Sequence, residues 1–423
     1  MQKSMLLTNI RELWLIDTLG RRSRQGTLMA NPELLADAWL LIENERIAGF
    51  GQMNNIPEYL QNRPASDCSG RIVFPAYCDS HTHLIFAQSR EQEFLMQIQG
   101  KSYEEIAAAG GGILNSAQKL QQTSEEALFQ LALERIRYIE TIGTGAIEIK
   151  SGYGLTVSDE LKMLRVARRL QAETSIKIRT TLLAAHALPP EYKNNREQFI
   201  QLICKEMIPL SAQENLADFV DVFCETGFFT PQETAQILEC ADKFGIAGKV
   251  HANELDYSGG VQVAVQANAV SADHLECVGE AELLALKQGQ TIATVLPATS
   301  FFLRIPYAPA RKLIQENIIV AIASDFNPGT APSANMNMVL ALACIHLRML
   351  PGEALTAATL HGAAAMNLHE SYGSLQVGKI AALNITKPLP SFSCVPYYFG
   401  HHLIDTTILP RKIIGTSLKF LSS

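Results

Sequence analysis

Residues 74–84 read Phe-Pro-Ala-Tyr-Cys-Asp-Ser-His-Thr-His-Leu, and the fold turns on how that stretch is read. The apolar run Ile72-Val73-Phe74 feeds a Pro-Ala turn and then His81 and His83, two residues apart. Side chains at i and i+2 of an extended strand leave the backbone on one face, so two imidazoles at a strand mouth can share one divalent metal. A bare His-x-His serves equally well as two polar groups where a strand ends, because short motifs match by accident. The rest of the chain decides between these readings.

Downstream of Ile72 the pattern is strand, then helix, repeated. Eight apolar β-like runs stand out: Ile72–Cys78, Gly145–Ile149, Ile176–Ala184, Phe219–Cys224, Ile246–Val250, Ala269–Ala272, Thr291–Leu296 and Ile318–Ala323. Between most of them lie segments with i, i+3, i+4 apolar spacing, such as Glu125–Ile142, Asp159–Leu170, Pro231–Phe244 and Glu280–Leu286. Eight alternating units predict an α/β fold built on a (β/α)₈ TIM-like barrel. Two further helices are expected over Asn335–Met349 and Glu353–Met366.

Upstream, Ser4–Ile16 alternates loosely, and Ala38–Ile42 followed by Asn44-Glu45-Arg46-Ile47 reads as a hairpin. From Gly373 the tail returns to strands and turns, so a small β-sandwich domain is expected from both chain ends. The expected division is 1–72, a barrel over 73–372, and 373–423. The longest connection, after the first strand, holds Gly110-Gly111-Gly112. It lacks the Lys-Ser/Thr of a phosphate-binding loop, so a mobile flap over a site is the better expectation.

Bulk composition narrows the function. Across 423 residues, 47% are hydrophobic and 18% charged, an ordinary globular balance able to fill a large core. The net charge of −7 and the lack of a long basic run argue against nucleic acid as a partner; Arg21-Arg22-Ser23-Arg24 reads as a solvated loop. No stretch reaches the roughly 18 apolar residues that a membrane span needs, and no secretory leader is evident. Eight cysteines without a Cys-x-x-Cys pair read as free thiols in a reducing compartment, so a cytoplasmic location is expected.

A barrel of this kind places its chemistry where the strands end. The first run ends in Asp79 and His81-Thr-His83, the second in Glu148-Ile-Lys150-Ser-Gly-Tyr153, and the third in His186. The fourth ends in Glu225, the fifth in His251-Ala-Asn-Glu254, the sixth in Asp273-His274 and the eighth in Asp325-Phe-Asn327. Five of the ten histidines thus occupy four strand ends, while His346, His361, His369, His401 and His402 lie in helices or the tail. That convergence favours a metal site. His81, His83, His251 and Asp325 make a set suited to one Zn²⁺ or iron ion with a position open for water. Glu254 is placed to take and pass a proton, and His274 to polarise a carbonyl or steady the attacking water. Asp325 can both touch the metal and move a proton; its structural alternative is a helix N-cap.

These residues resemble the amidohydrolase superfamily, which hydrolyses amide and amidine bonds. Arg90, Glu148–Leu155, Ala185–Tyr192, Asp221–Glu225, Ser271–Glu276 and Ser324–Gly329 narrow the similarity to the imidazolonepropionase family, collinearly from about Phe74 to Gly378. The resemblance implies hydrolytic opening of 4-imidazolone-5-propanoate to N-formimidoyl-L-glutamate in histidine degradation, and a homodimer. By matching positions it implies the metal ligands His81, His83, His251 and Asp325. It implies substrate contacts at Arg90, Tyr153, His186, Glu254, Asn327, Gly329 and Thr330. Arg90 offers a planar fork for a propanoate carboxylate; its alternative is a surface ion pair, as Asn327's is a turn former. In two-metal relatives a modified lysine on the fourth strand bridges the ions; Lys150 falls on the second, so one metal is expected. Ala76-Tyr77 stands where the family usually has Gly-Leu, and Ile380 and Ala382 where it often has aspartates. The competing readings are a nucleobase deaminase using the same ligand set and a catalytically silent barrel kept for binding.

Overall fold

The protein is described here by a computed structural model covering residues 4–101, 105 and 111–415. The chain ends supply one mixed sheet. Its strands are β1 (Ser4–Ile16), β2 (Glu33–Glu43), β3 (Arg46–Gln52), β4 (Ser66–Asp67) and β5 (Ile72–Pro75) from the N-terminal side. The C-terminal side adds β14 (Leu383–Thr386), β15 (Ile404–Leu409) and β16 (Lys412–Gly415), in the order β16-β15-β14-β5-β1-β2-β3 with β4 beside β1. The expected hairpin is present: Glu43 pairs with Arg46 across Asn44 and Glu45. Those two residues have φ of 50° and 65°, the doubly left-handed turn that matches strand twist.

The middle of the chain forms a parallel sheet of eight strands. These are β6 (Tyr77–Asp79), β7 (Thr144–Lys150), β8 (Lys177–Ala185), β9 (Phe219–Cys224), β10 (Ala247–Ala252), β11 (Ser271–His274), β12 (Ile292–Val295) and β13 (Val320–Ile322). They pair in chain order from β6 to β13. The two ends meet through a bridge between Thr82 and Phe326 and a hydrogen bond from Asp325 N to His81 O (3.0 Å). Ser324 adds backbone and side-chain bonds to the Asp79 carboxylate at 2.9 and 2.5 Å. The first and last strand ends are therefore locked together beside the histidines.

Surrounding helices begin where the sequence says they should. Ser124 and Thr156 cap the helices Glu125–Thr141 and Val157–Glu173, and Thr230 with Glu233 forms a reciprocal cap on Pro231–Asp242. Their apolar faces, such as Ile237, Leu238 and Leu283, close over Val220, Val222, Val250, Ala272 and Val295 of the strands. Each fully buried branched side chain contributes about 1.5–3 kcal/mol.

Two expectations need correction. The run Ile72–Cys78 is two strands, not one. Ile72–Pro75 joins the small sheet, pairing with β1 and β14, and Tyr77–Asp79 opens the barrel. At the join, Ala76 N bonds to Ala382 O and Tyr77 N to Gly143 O, so the Pro-Ala turn hands the chain from one sheet to the other. In the tail, Gly373–Lys379 is turn rather than strand, and pairing resumes at Leu383. Of the triple glycine, Gly110 lies outside the described residues; Gly112, with φ of 93°, precedes the helix Ile113–Gln121. All eight cysteines are unpaired, with Cys68, Cys78, Cys204 and Cys224 buried. No helix among the described residues is long and apolar enough to cross a membrane.

Candidate metal centre and active site

His81 and His83 follow β6, His251 lies on β10 and Asp325 follows β13, so the four predicted ligands arrive from three strand ends. All are at most 3% exposed. His81 Nε2 lies 3.5 Å and His83 Nε2 3.6 Å from Asp325 Oδ1. His83 Nε2 and His251 Nε2 are 3.4 Å apart. Donor atoms that share one ion at about 2.1 Å stand roughly 3–4 Å from one another, so these three spacings suit ligands of a common ion. His81 Nε2 has no hydrogen-bond partner among the described residues, although it is buried. A buried nitrogen aimed at other donors is costly unless a cation satisfies it. The residues fit a divalent metal ion. His81, His251 and His274 also bring donors within 4.8 Å of one another, which places His274 at the edge of the same centre.

The electrostatics agree. Burial, then the Lys150 charge, holds His81 and His251 well below the usual imidazole range; burial and His186 do so for His83. Neutral imidazoles are the ligating form. Burial pushes the Asp325 carboxyl up to about 7, against hydrogen bonds that lower it. Thr299 Oγ1 donates to Asp325 Oδ2 at 2.6 Å, which leaves Oδ1 turned toward the histidines. Asp325 (φ 53°) and His274 (φ 84°) both hold left-handed backbone, a strain of about 1–3 kcal/mol each that sets these side chains at the mouth.

Further titratable groups lie beside the predicted ligands. Glu254 Oε2 is 3.7 Å from His274 Nε2, and His274 Nδ1 is 3.8 Å from Glu276 Oε2. Burial, then Glu276, Asp325 and Glu225, raises the Glu254 pKa well above the carboxylate range. Burial takes Glu276 to about 8 and His274 down to about 4. Glu254, beside His274, is placed where a carboxyl can take and pass on a proton.

Among the predicted substrate contacts, Tyr153 and His186 stand against the ligand cluster, their ring centres 6.0 and 5.2 Å from that of His83. His186 Nδ1 is 3.0 Å from Gly152 O, which as a donor leaves Nε2 as the acceptor. Arg90 grips Glu93 with Nε at 2.8 Å and with Nη2, and Nη1 lies over Gly329. Asn327 is a turn former here. Its Nδ2 donates to Asp325 O and Thr330 Oγ1, both at 2.7 Å, and its Oδ1 accepts from Gly329 N and Thr330 N, both at 2.8 Å. That closed loop occupies both amide hydrogens and the carbonyl, and with them the Gly329 and Thr330 amides. Direct reading of a substrate by these donors would require the loop to open.

Several supporting residues were missed. Asp273 Oδ2 lies 2.6 Å from His81 Nδ1, and Asp221 Oδ2 lies 3.0 Å from His251 Nδ1, the latter not aligned as a hydrogen bond. Lys150 is on the second barrel strand as expected, and its Nζ reaches Glu148 and Asp221 at 2.8 and 2.7 Å. A signal was present: Glu148 and Lys150, and Lys249 and His251, are i, i+2 pairs within strands and so share a face.

A parallel barrel with imidazoles and carboxylates converging at its C-terminal mouth defines a hydrolase of the amidohydrolase class, and residues 72–400 match the sequence profile of the Amidohydrolase family. Within that class the chain belongs to the imidazolonepropionase family. It is 46% identical to the imidazolonepropionase of Christiangramia forsetii over 97% of this chain and 100% of that protein. It is 47% identical to that of Flavobacterium johnsoniae over 97% of this chain and 99% of that protein. The fold also matches the crystal structure of 5-methylcytosine deaminase from Klebsiella pneumoniae liganded with 5-fluorocytosine. The TM-score is 0.74, with 18% identity over 99% of each chain, a likeness of fold alone.

Proposed function

We propose that this chain is an imidazolonepropionase, hydrolysing 4-imidazolone-5-propanoate to N-formimidoyl-L-glutamate in histidine breakdown. The observation that carries the chemistry is the 3.4–3.6 Å separation of the pairs His81–Asp325, His83–Asp325 and His83–His251, with Glu254 and His274 alongside. A single Zn²⁺ or iron ion held by those four residues would supply Lewis acidity and lower a water's pKa to about 7. Glu254 takes the proton released as the water oxygen bonds to the lactam carbonyl carbon. His274 stabilises the developing oxyanion in this reading. As the ring carbon–nitrogen bond breaks, Glu254 returns that proton to the departing nitrogen, so the water is consumed and no other reactant is needed. Asp325, held by Thr299 through Oδ2, would offer Oδ1 to the ion and can pass a proton on. Arg90 receives the propanoate carboxylate, with Tyr153 and His186 as flanking polar groups and the Asn327–Thr330 loop shaping the wall.

The soluble substrate, the absence of a membrane-length helix among the described residues and the free thiols fit a cytoplasmic enzyme; a homodimer is the assembly we infer. The test is a two-substrate assay on metal-loaded protein. Loss of imidazolonepropanoate absorbance with formation of N-formimidoylglutamate supports the reading. Ammonia release from aminopyrimidines or aminopurines, with imidazolonepropanoate left intact, replaces it with a deaminase.

A further inference from the structure

Beneath the candidate metal ligands the barrel interior is charged. Glu148 and Lys150 on β7, Asp221 on β9, Lys249 on β10 and Asp273 on β11 are each 0% exposed. Barrels of this kind are ordinarily filled by branched apolar side chains, and ions so far from water are costly unless paired and aimed. Packing alone does not explain five of them.

Their geometry leads to the ligands along two branches. On one, Lys150 Nζ donates to Asp221 Oδ2 at 2.7 Å. Asp221 Oδ1 accepts from His251 N at 3.2 Å, and its Oδ2 faces His251 Nδ1 at 3.0 Å. On the other, Asp273 Oδ2 meets His81 Nδ1 at 2.6 Å and stands 3.6 Å from Lys150 Nζ and 3.7 Å from Lys249 Nζ. Glu148 joins the branches. Its Oε1 accepts from Lys150 and Thr181, its Oε2 from Lys249, and Lys249 also donates to Ser80 O at 2.9 Å. An ammonium, with three rotatable donors on a thin stem, suits such a junction better than a planar guanidinium.

We propose that Lys150 and Lys249 are positioning residues of the metal centre, clamping Asp221 and Asp273 so that His251 and His81 present their Nε2 atoms to the ion. Neither lysine touches substrate; each acts through a carboxylate on the far side of a ligand ring. Outer partners of this kind set ring orientation, and their loss typically weakens metal binding about 10- to 100-fold. The inference rests on the metal centre proposed above.

The test uses full-length protein stripped with a chelator and then titrated with Zn²⁺ against a chromogenic chelator. In Lys150→Met, Zn²⁺ affinity is expected to fall about 10- to 100-fold, and raising the Zn²⁺ concentration should recover much of the turnover at unchanged KM. Because that variant leaves Asp221 without its cation, Lys150→Met/Asp221→Asn removes both charges together. It should regain thermal stability while its Zn²⁺ affinity stays low. A purely structural role would lower the melting temperature and leave the affinity of folded protein at the wild-type value. Wild-type Zn²⁺ affinity in either folded variant overturns the proposal. Wild-type protein that binds no divalent ion overturns instead the reading on which it rests, and since affinity is read without substrate, the two failures are distinct.

Discussion

The Arg90 guanidinium lies so close to the backbone of Gly329 that a Cβ built there would stand 2.1 Å from Nη1 and 2.6 Å from Cζ. The helix Glu91–Ile98 and the loop after β13 are thereby brought into contact, and Glu93 fixes the opposite edge of the same fork. Gly329→Ala is expected to push Arg90 out of register, and Glu93→Gln to loosen it. Both should raise KM for imidazolonepropanoate in the direction of Arg90→Ala, roughly 10-fold or more for the loss of a charge-assisted pair. Steady-state kinetics checks this. A normal KM in Arg90→Ala would move the carboxylate contact elsewhere.

Glu254 lies 3.7 Å from His274, and burial with Glu276, Asp325 and Glu225 raises its pKa. Glu254→Gln keeps the shape and removes the titration. Turnover should drop at least ~100-fold while substrate still binds. Single-turnover assays with an independent binding measurement separate the two quantities, and unchanged turnover removes Glu254 from this role.

Stripping the ion should abolish activity, because the ion supplies the Lewis acidity that the proposed reaction needs. Zn²⁺ or Fe²⁺ added in equimolar amount should restore it, and elemental analysis of native protein should give one ion per subunit. Full activity in chelator-treated, metal-free protein would sink the metal centre.

Sequence periodicity carried the barrel well, because parallel strands buried on both faces read as apolar runs and their carboxyl ends collect polar residues. The same logic placed His81, His83, His251, His274 and Asp325 at one rim. It failed at Pro75-Ala76, where one apolar run serves two sheets and only tertiary pairing reveals the change. Asp273 and Asp221 carry no distinguishing signal in the sequence, since a carboxylate inside a strand looks alike whether it faces a ligand or a lysine. The Asn327 loop shows the reverse difficulty: its residue types suit both a turn and a binding wall, and only the distances show its amide to be taken.

Gly362 illustrates how the helical segment after β13 supports the site from behind. A Cβ there would meet Cys78 O at 2.1 Å, and the obstacle is strand backbone that cannot rotate aside. Gly362→Ala should destabilise the fold by about 1–3 kcal/mol, read as a lower melting temperature for apo protein. Since Cys78 lies three residues before His81, metal affinity should fall with it.

Asp273 offers a sharper test of how the ligands are aimed. Its Oδ2 accepts from His81 Nδ1 at 2.6 Å, with both side chains sealed from solvent. That bond fixes the proton on Nδ1 and leaves Nε2, the atom without a partner, for the ion. Asp273→Asn can still present an oxygen, but a neutral one, and its amide can turn to offer hydrogens instead. It also withdraws the charge that faces Lys150 and Lys249. Metal affinity should therefore fall about 10- to 100-fold, and raising the Zn²⁺ concentration should recover much of the turnover. Activity that stays low at saturating metal would mean that Asp273 serves the reaction itself and not only the aim of His81.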